Sequence, residues 1–251
     1  MLRNESDGAV VRLTIDRPDV RNSFNDELIH ALTEAFQNMT ESARVVILTG
    51  EGKAFSAGGD LNWMRKAAGY TAQENYEDAF HLTRLFHAMI HCPAPIIARV
   101  NGAAFGGGCG LVAASDIGIA SDKALFAFSE VKLGLVPATI STFVLPKIGS
   151  GHARALFTTG MPFDAERALR VGLVHEVVTD EELDAKVDEY VGHILKSGPH
   201  AVAASKKLAI EGPYDDNDAA TLLAQARSSA EGKEGVAAFL DKRPASFVVE
   251  R

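Results

Sequence analysis

Between residues 10 and 120, apolar runs with strand character alternate with segments of helical periodicity, and this alternation restricts the chain more than any other feature. Val10–Ile15 reads as a strand. After Asn25, the residues Leu28, Leu32, Ala35 and Phe36 recur at helical spacing. Residues 45–48 form a β-rich run ending at Thr49-Gly50, residues 72–91 read as helix, and residues 95–100 return to strand. A short small-residue helix through 112–114 and a strand at 117–120 follow. This order predicts strands paired in parallel and joined by crossover helices. From Thr139 onward the pattern is mostly helical. Thr179 and Glu182 are spaced as a capping box ahead of Leu183, Val187, Val191, Ile194 and Leu195.

Two glycine-rich segments interrupt the alternation. The first, Lys53-Ala54-Phe55-Ser56-Ala57-Gly58-Gly59-Asp60-Leu61, follows a buried-looking strand. Its small residues permit close approach to the main chain, and a turn entering a helix leaves amide N–H groups free for developing negative charge. The same residues also suit an ordinary turn with Asp60 as a helix cap. The second, Asn101-Gly102-Ala103-Ala104-Phe105-Gly106-Gly107-Gly108-Cys109-Gly110, lies between a strand and a helix. It is not a GxGxxG dinucleotide loop and has no Walker lysine, so it reads either as tight packing or as a second source of amide donors. Glu130 sits at the edge of the apolar run Ala124-Leu125-Phe126-Ala127-Phe128-Ser129. There desolvation would favour its protonated form and suit it to proton transfer, although most glutamates are solvated surface residues. His87 and His91 are spaced i,i+4 with no third metal ligand nearby, and no GxSxG elbow is present.

Composition narrows the classes. Hydrophobic residues make up 47% of 251 positions, enough for a substantial core, and 25 Lys+Arg against 33 Asp+Glu give a formal charge of −8. That balance opposes attraction to a nucleic-acid backbone. Residues 1–7 are polar and charged, and no apolar run approaches the roughly 18 residues of a membrane span. With only Cys92 and Cys109, in unpaired spacing, the expectation is a cytoplasmic protein with reduced thiols.

Taken in order, the 55–61 loop, the 101–110 loop and the 130–137 segment resemble the active-site framework of the crotonase, or enoyl-CoA hydratase/isomerase, family. The similarity begins at Asp16-Arg17-Pro18 with Asn22 and reaches Glu234-Gly235, Ala238-Phe239 and Lys242-Arg243-Pro244. The resemblance implies an α/β fold, a spiral of ββα units over residues 1–194, with a helical trimerisation region at 195–251. It implies a homotrimer or homohexamer acting on an acyl-CoA thioester. No metal and no cofactor are expected beyond the coenzyme A carried by the substrate.

Gly59 and Gly107 align with the family's two oxyanion-hole positions and Glu130 with its downstream catalytic glutamate. By the same alignment, CoA would lie near Val20, Ala57, Asp60 and Leu61, with Arg21, Lys242 and Arg243 as phosphate contacts. One departure matters: two-glutamate hydratases carry a second carboxylate where this chain has Gly110, whereas isomerases of the family work with one. A narrower likeness to bacterial methylglutaconyl-CoA hydratases rests on Gly59-Asp60-Leu61-Asn62-Trp63-Met64, Ser129-Glu130-Val131 and Pro137-Ala138-Thr139-Ile140-Ser141. It favours hydration of a branched 2-enoyl-CoA. Double-bond isomerisation is the alternative, and a non-catalytic acyl-CoA-binding protein is the alternative from another class.

Overall fold

In the computed structural model, which describes residues 1–250, β1 (Leu2–Asp7) and β2 (Val10–Ile15) form an antiparallel hairpin. Its two-residue turn opens with Gly8 at φ +59°. The polar, exposed β1 lacks the alternation that would mark it in sequence. In α1 (Asp26–Gln37) the Asn25 side chain accepts the Leu28 N–H at 3.0 Å, and Leu28, Ile29, Leu32 and Phe36 form the buried stripe.

The chain then repeats a unit of two strands followed by helix. β3 (Val45–Gly50) and β4 (Ala54–Ser56) precede α2 (Leu61–Ala67) and α3 (Ala72–Ile90). Next, β5 (Ile96–Val100) and β6 (Ala103–Phe105) precede α4 (Gly107–Ala114). In the third unit β7 (Ile117–Ser121) and β8 (Leu125–Ala127) lead through a 3-10 turn at Glu130–Leu133 into α5 (Ala138–Thr159), which is kinked at Gly149. β9 (Phe163–Asp164), α6 (Ala165–Val171), β10 (Glu176–Val178) and α7 (Leu183–Leu195) complete the core. Three further helices, α8 (Pro199–Glu211), α9 (Asp216–Ser228) and α10 (Ala230–Leu240), follow.

Each unit gives its first strand to one sheet and its second to another. The described residues form a six-stranded sheet ordered β1-β2-β3-β5-β7-β10 and a four-stranded sheet ordered β4-β6-β8-β9. The β2-β3, β3-β5 and β5-β7 pairings are parallel, as are β4-β6 and β6-β8. This is the spiral of ββα units expected from the sequence. The step between sheets is pinned by Asn101, whose side-chain N–H2 donates to the Gly50 and Gly52 carbonyls at 2.8 Å each. A Cβ at Gly102 would collide with the Lys53 carbonyl, so the second crossing needs glycine.

β3 is buried throughout and serves two cores. Val46 and Leu48 face the main cluster with Phe36, Phe55, Phe86 and Phe126. Val45 and Ile47 turn to the opposite side, where Leu183, Val187, Val191 and Leu195 of α7 cover the sheet.

The predicted capping box at Thr179 differs in detail. Thr179 Oγ1 does meet Glu182 Oε2 at 2.8 Å, but the Glu182 N–H donates to the Thr179 carbonyl, so these residues close a turn and α7 starts only at Leu183. The reciprocal box forms instead at Thr71 and Glu74, ahead of α3.

Candidate functional site

The β4–β6 pairing sets Ala54 beside Ala103 and Ser56 beside Ala104, so the two glycine loops leave the sheet side by side. At Gly58, φ is +84° and a Cβ would stand 2.8 Å from the Phe105 carbonyl oxygen, so only glycine fits without a backbone shift. Phe24 then fixes both loops. Its N–H donates to the Gly58 carbonyl at 2.7 Å, and its carbonyl accepts the Asp60 N–H at 2.8 Å. In this parallel bridge the intervening Gly59 turns its own N–H away from Phe24. The Phe24 ring lies on Gly107, where a Cβ would come within 2.9 Å of Cε2. Gly107 is the first residue of α4, so its N–H has no intrahelical acceptor. Among the described residues, neither the Gly59 nor the Gly107 N–H has a hydrogen-bond partner.

Glu130 closes the arrangement. β8 ends beneath the second glycine loop, where the Gly106 N–H donates to the Ala127 carbonyl at 2.8 Å, and the 3-10 turn that follows begins with Glu130. A Cβ on Gly106, whose φ is +51°, would stand 3.2 Å from Glu130 Oε1. The other carboxylate oxygen, Oε2, is buried with no hydrogen-bond partner. Burial pushes the Glu130 pKa above its ordinary value, opposed only by its own backbone N–H. A buried carboxylate with an idle oxygen, beside a turn leading to a free amide, is poised to take up a proton.

Around this centre the structure gathers Val20, Arg21, Ala57, Asp60 and Leu61. The Arg21 carbonyl accepts the Ala57 N–H at 2.9 Å, and Val20 and Leu61 are exposed. Arg21 and Asn22 both hold positive φ, and the buried Asn22 side chain anchors them by donating to the Glu51 and Ala54 carbonyls at 2.9 and 2.7 Å. Asp60 is fully engaged within the protein. Its carboxylate accepts the Asn62 N–H at 2.8 Å as the cap of α2 and pairs with Arg17 at 2.8 Å. Burial alone would raise its pKa, but the bonds from the Asn62 amide and Arg17 outweigh it and hold the group below its ordinary range. Of the sequence readings of Asp60, the helix cap is the one its side chain shows. Phe24 and Arg17 are the supports that motif reading left without a role. Phe24 lies in a stretch with no glycine or charge pattern to mark it, and its effect is carried by its backbone and by packing.

Lys242 and Arg243 are not brought to this cluster. They follow α10, whose main helix contacts are with α9 and α8, and the Arg243 guanidinium is closed on Glu234 at 2.7 and 2.9 Å. His91 Nδ1 is bonded to the His87 carbonyl at 2.8 Å, and the His87 ring packs edge-on against Phe143. A groove of about 810 Å³ over the ends of β2, β3 and β5 shares none of its lining with Gly59, Gly107 or Glu130. Of its five cations, Arg3, Arg99 and Lys123 are paired with Glu51, Asp184 and Asp180.

The wall behind the site is apolar. A Cβ on Gly110 would meet Ile140 Cγ2 at 2.5 Å and Phe86 Cζ at 2.7 Å, so no side chain fits there without repacking. On the other side, Met64 and Trp63 lie 3.3 and 3.4 Å from a Cβ built on Gly59, and the Trp63 indole N–H donates to Asp78 at 3.1 Å. Cys109, two residues into α4 from Gly107, is wholly buried and its thiol donates to the Ala104 carbonyl at 2.9 Å.

The enoyl-CoA hydratase/isomerase family model matches residues 5–249. The crotonyl-CoA hydratase of Syntrophomonas wolfei subsp. wolfei is 37% identical over 253 aligned residues, covering 97% of this chain and 96% of that protein. Among solved structures, an enoyl-CoA hydratase from Shewanella pealeana is 38% identical with a TM-score of 0.92, over 98% of this chain and 95% of its own. Pseudomonas aeruginosa AtuE is 33% identical with a TM-score of 0.94, over 99% of both chains. These matches run through both glycine loops and Glu130, and the chain belongs to the enoyl-CoA hydratase/isomerase, or crotonase, family of enzymes.

Proposed function

We propose that this enzyme adds water to a 2-enoyl-CoA, with Glu130 as the only proton-transferring carboxylate and the Gly59 and Gly107 amides as the oxyanion donors. Glu130 takes a proton from water as the oxygen bonds to C3. The C2–C3 π electrons move toward C1, and the thioester oxygen becomes an enolate oxygen held by the two N–H groups. The enolate then collapses, and Glu130 returns its proton to C2, so that one water is added and the carboxylate is restored. CoA would lie along Val20, Arg21, Ala57 and Leu61, with the main chain of Asp60 rather than its committed carboxylate available. Lys242 and Arg243 would reach the phosphates only after Arg243 leaves Glu234. The observation that carries this reading is the buried, unpartnered Glu130 Oε2 beside the glycine turn.

The substrate proposed is a short branched 2-enoyl-CoA such as 3-methylglutaconyl-CoA. The packing at Gly110 supports a second reading. With Phe86 and Ile140 filling the space next to it, one carboxylate must do all the proton transfer, and moving a double bond by deprotonation at C2 and reprotonation at C4 needs no more. Turnover in heavy-oxygen water separates the two. Wild type and Glu130→Gln would be offered 3-methylglutaconyl-CoA, crotonyl-CoA and a 3-enoyl-CoA. Solvent oxygen in the product, lost in the variant, establishes hydration. A mass-neutral shift of the 3-enoyl-CoA makes the enzyme an isomerase.

The assembly proposed is a homotrimer or a dimer of trimers. Leu222, Leu223, Val236, Phe239 and Leu240 of α9 and α10 are exposed in the single chain and would be covered by neighbouring copies.

A further inference from the structure

The helix that presents the Gly107 amide is buried among apolar neighbours and carries no charged side chain of its own. α4 has eight residues, about 12 Å, and is built from Gly, Cys, Leu, Val and Ala. It has no side-chain cap at its N-terminus. Its C-terminal end, however, meets a charge. Lys147 reaches in from α5, and its ammonium donates to the Ser115 carbonyl at 2.6 Å and the Val112 carbonyl at 3.2 Å. The residue is half-buried, with its outer stem at the surface and the charged end turned inward.

We infer that Lys147 is a positioning residue for catalysis, capping the carbonyl end of α4 and making the potential at the Gly107 amide more favourable for the enolate oxygen. The inference rests on the proposed oxyanion role of Gly107. A helix carries partial negative charge at its C-terminus, and a cation placed there offsets it, leaving the positive end at Gly107 less opposed. A unit charge acting over the length of α4 through protein changes an anion's stability by an amount worth roughly five- to tenfold in rate. The enolate exists after the first bond-forming step and not in the bound substrate, so the effect belongs to kcat rather than KM.

The groups facing Lys147 set when it is charged. Asp116 lies just after α4. It is paired with Lys206 of α8 at 2.8 Å and accepts the Ile96 N–H at 2.7 Å. His175, ahead of β10, accepts the Gly118 N–H on Nδ1 at 2.9 Å, and burial and the Lys147 charge lower its pKa, opposed by Glu176 and Asp116. Burial pushes the Lys147 pKa down to about 8, with Asp116 as the opposing influence. The positioning charge is therefore present at neutral pH and lost above about pH 8. Fold stability responds in the opposite sense. A lysine whose folded pKa lies below its ordinary 10.5 costs stability while charged, and that cost fades as pH rises from about 8 to 10.5. A fall in rate over this interval therefore cannot be assigned to Lys147-driven unfolding.

The test is kcat and KM on crotonyl-CoA between about pH 6 and about pH 9.5 for wild type, Lys147→Met and Lys147→Arg, with folded protein verified by circular dichroism. Lys147→Met should lose roughly five- to tenfold in kcat at neutral pH with KM little changed. Wild type should fall toward the Met variant above about pH 8, while Lys147→Arg, charged throughout, keeps its plateau. Wild-type kcat in Lys147→Met, a loss confined to KM, or an equal kcat loss in a folded Lys147→Arg would each overturn the inference. If Lys147→Met does not fold, the wild-type profile decides: a kcat level to about pH 9.5 overturns it. If wild type turns over no enoyl-CoA, the parent reading fails and this one with it, whereas a Glu130-dependent turnover indifferent to Lys147 removes this one alone.

Discussion

Glu130 is held in a form that its own fold disfavours. To accept a proton it must be ionised, yet one of its oxygens is buried without a donor. Burial raises its pKa, so the acid limb of kcat should lie above pH 4.5, as a pH–rate profile would read directly. The linked stability has a definite sign. A carboxyl with its folded pKa above its unfolded one favours the fold below the unfolded value, and loses that contribution as pH rises through the folded value. At neutral pH Glu130 is therefore a net cost. Glu130→Gln should reduce turnover by about 10²- to 10⁴-fold and raise rather than lower the melting temperature. A variant that is inactive and less stable than wild type would refute the second half. Gly110 carries the converse constraint. Gly110→Ala should cost about 1–3 kcal/mol in urea unfolding through overlap with Ile140 and Phe86. Sequence showed that Gly110 carries no carboxylate. It could not show that two apolar side chains from other helices fill the space, because such packing leaves no local pattern.

Among the elements, those with clear periodicity were legible and those that aim the chemistry were less so. β2, β3, α1 and α3 declare themselves by alternation or an apolar stripe. β4, β6 and β8 have three residues each, too few for a period, yet they bring the two glycine loops and Glu130 together. The loops themselves were legible because close backbone approach admits only glycine. Phe24 was not, since it works through main-chain bonds. The capping motifs show the limit of spacing alone. Thr71-x-x-Glu74 and Thr179-x-x-Glu182 have the same form, but only the first sits where its threonine is the cap of a helix. Thr71→Ala should accordingly cost about 1 kcal/mol, and Thr179→Ala no more than about 0.5 kcal/mol, in urea denaturation.

For the molecule as a whole, the C-terminal third is where one chain leaves most apolar surface unburied. α8 and α9 have no buried residue and α10 has only Ala238, whereas Phe239 is 83% exposed. α8 is nevertheless tied to the core by Lys206, which pairs with Asp116, and the Val249 N–H donates to the Leu195 carbonyl. The boundary drawn from sequence between residues 194 and 195 falls one residue before the end of α7. The trimer proposal predicts that Phe239→Asp lowers the mass measured by light scattering without changing the far-ultraviolet circular dichroism. A wild-type monomer at micromolar concentration would remove the proposal.

The thiol of Cys109 turns the glycine loop into its own clock. It lies within α4, wholly buried, and burial raises its pKa, so in the closed protein it is neither accessible nor a thiolate. Alkylation can proceed only when α4 lifts from Ala104, which makes the labelling rate a measure of how often the segment bearing Gly107 opens. In a Cys92→Ser background, modification should be far slower than for a free thiol and slower again when a non-reacting acyl-CoA is bound. Rapid labelling at the free-thiol rate would mean that the Gly107 loop is not held shut.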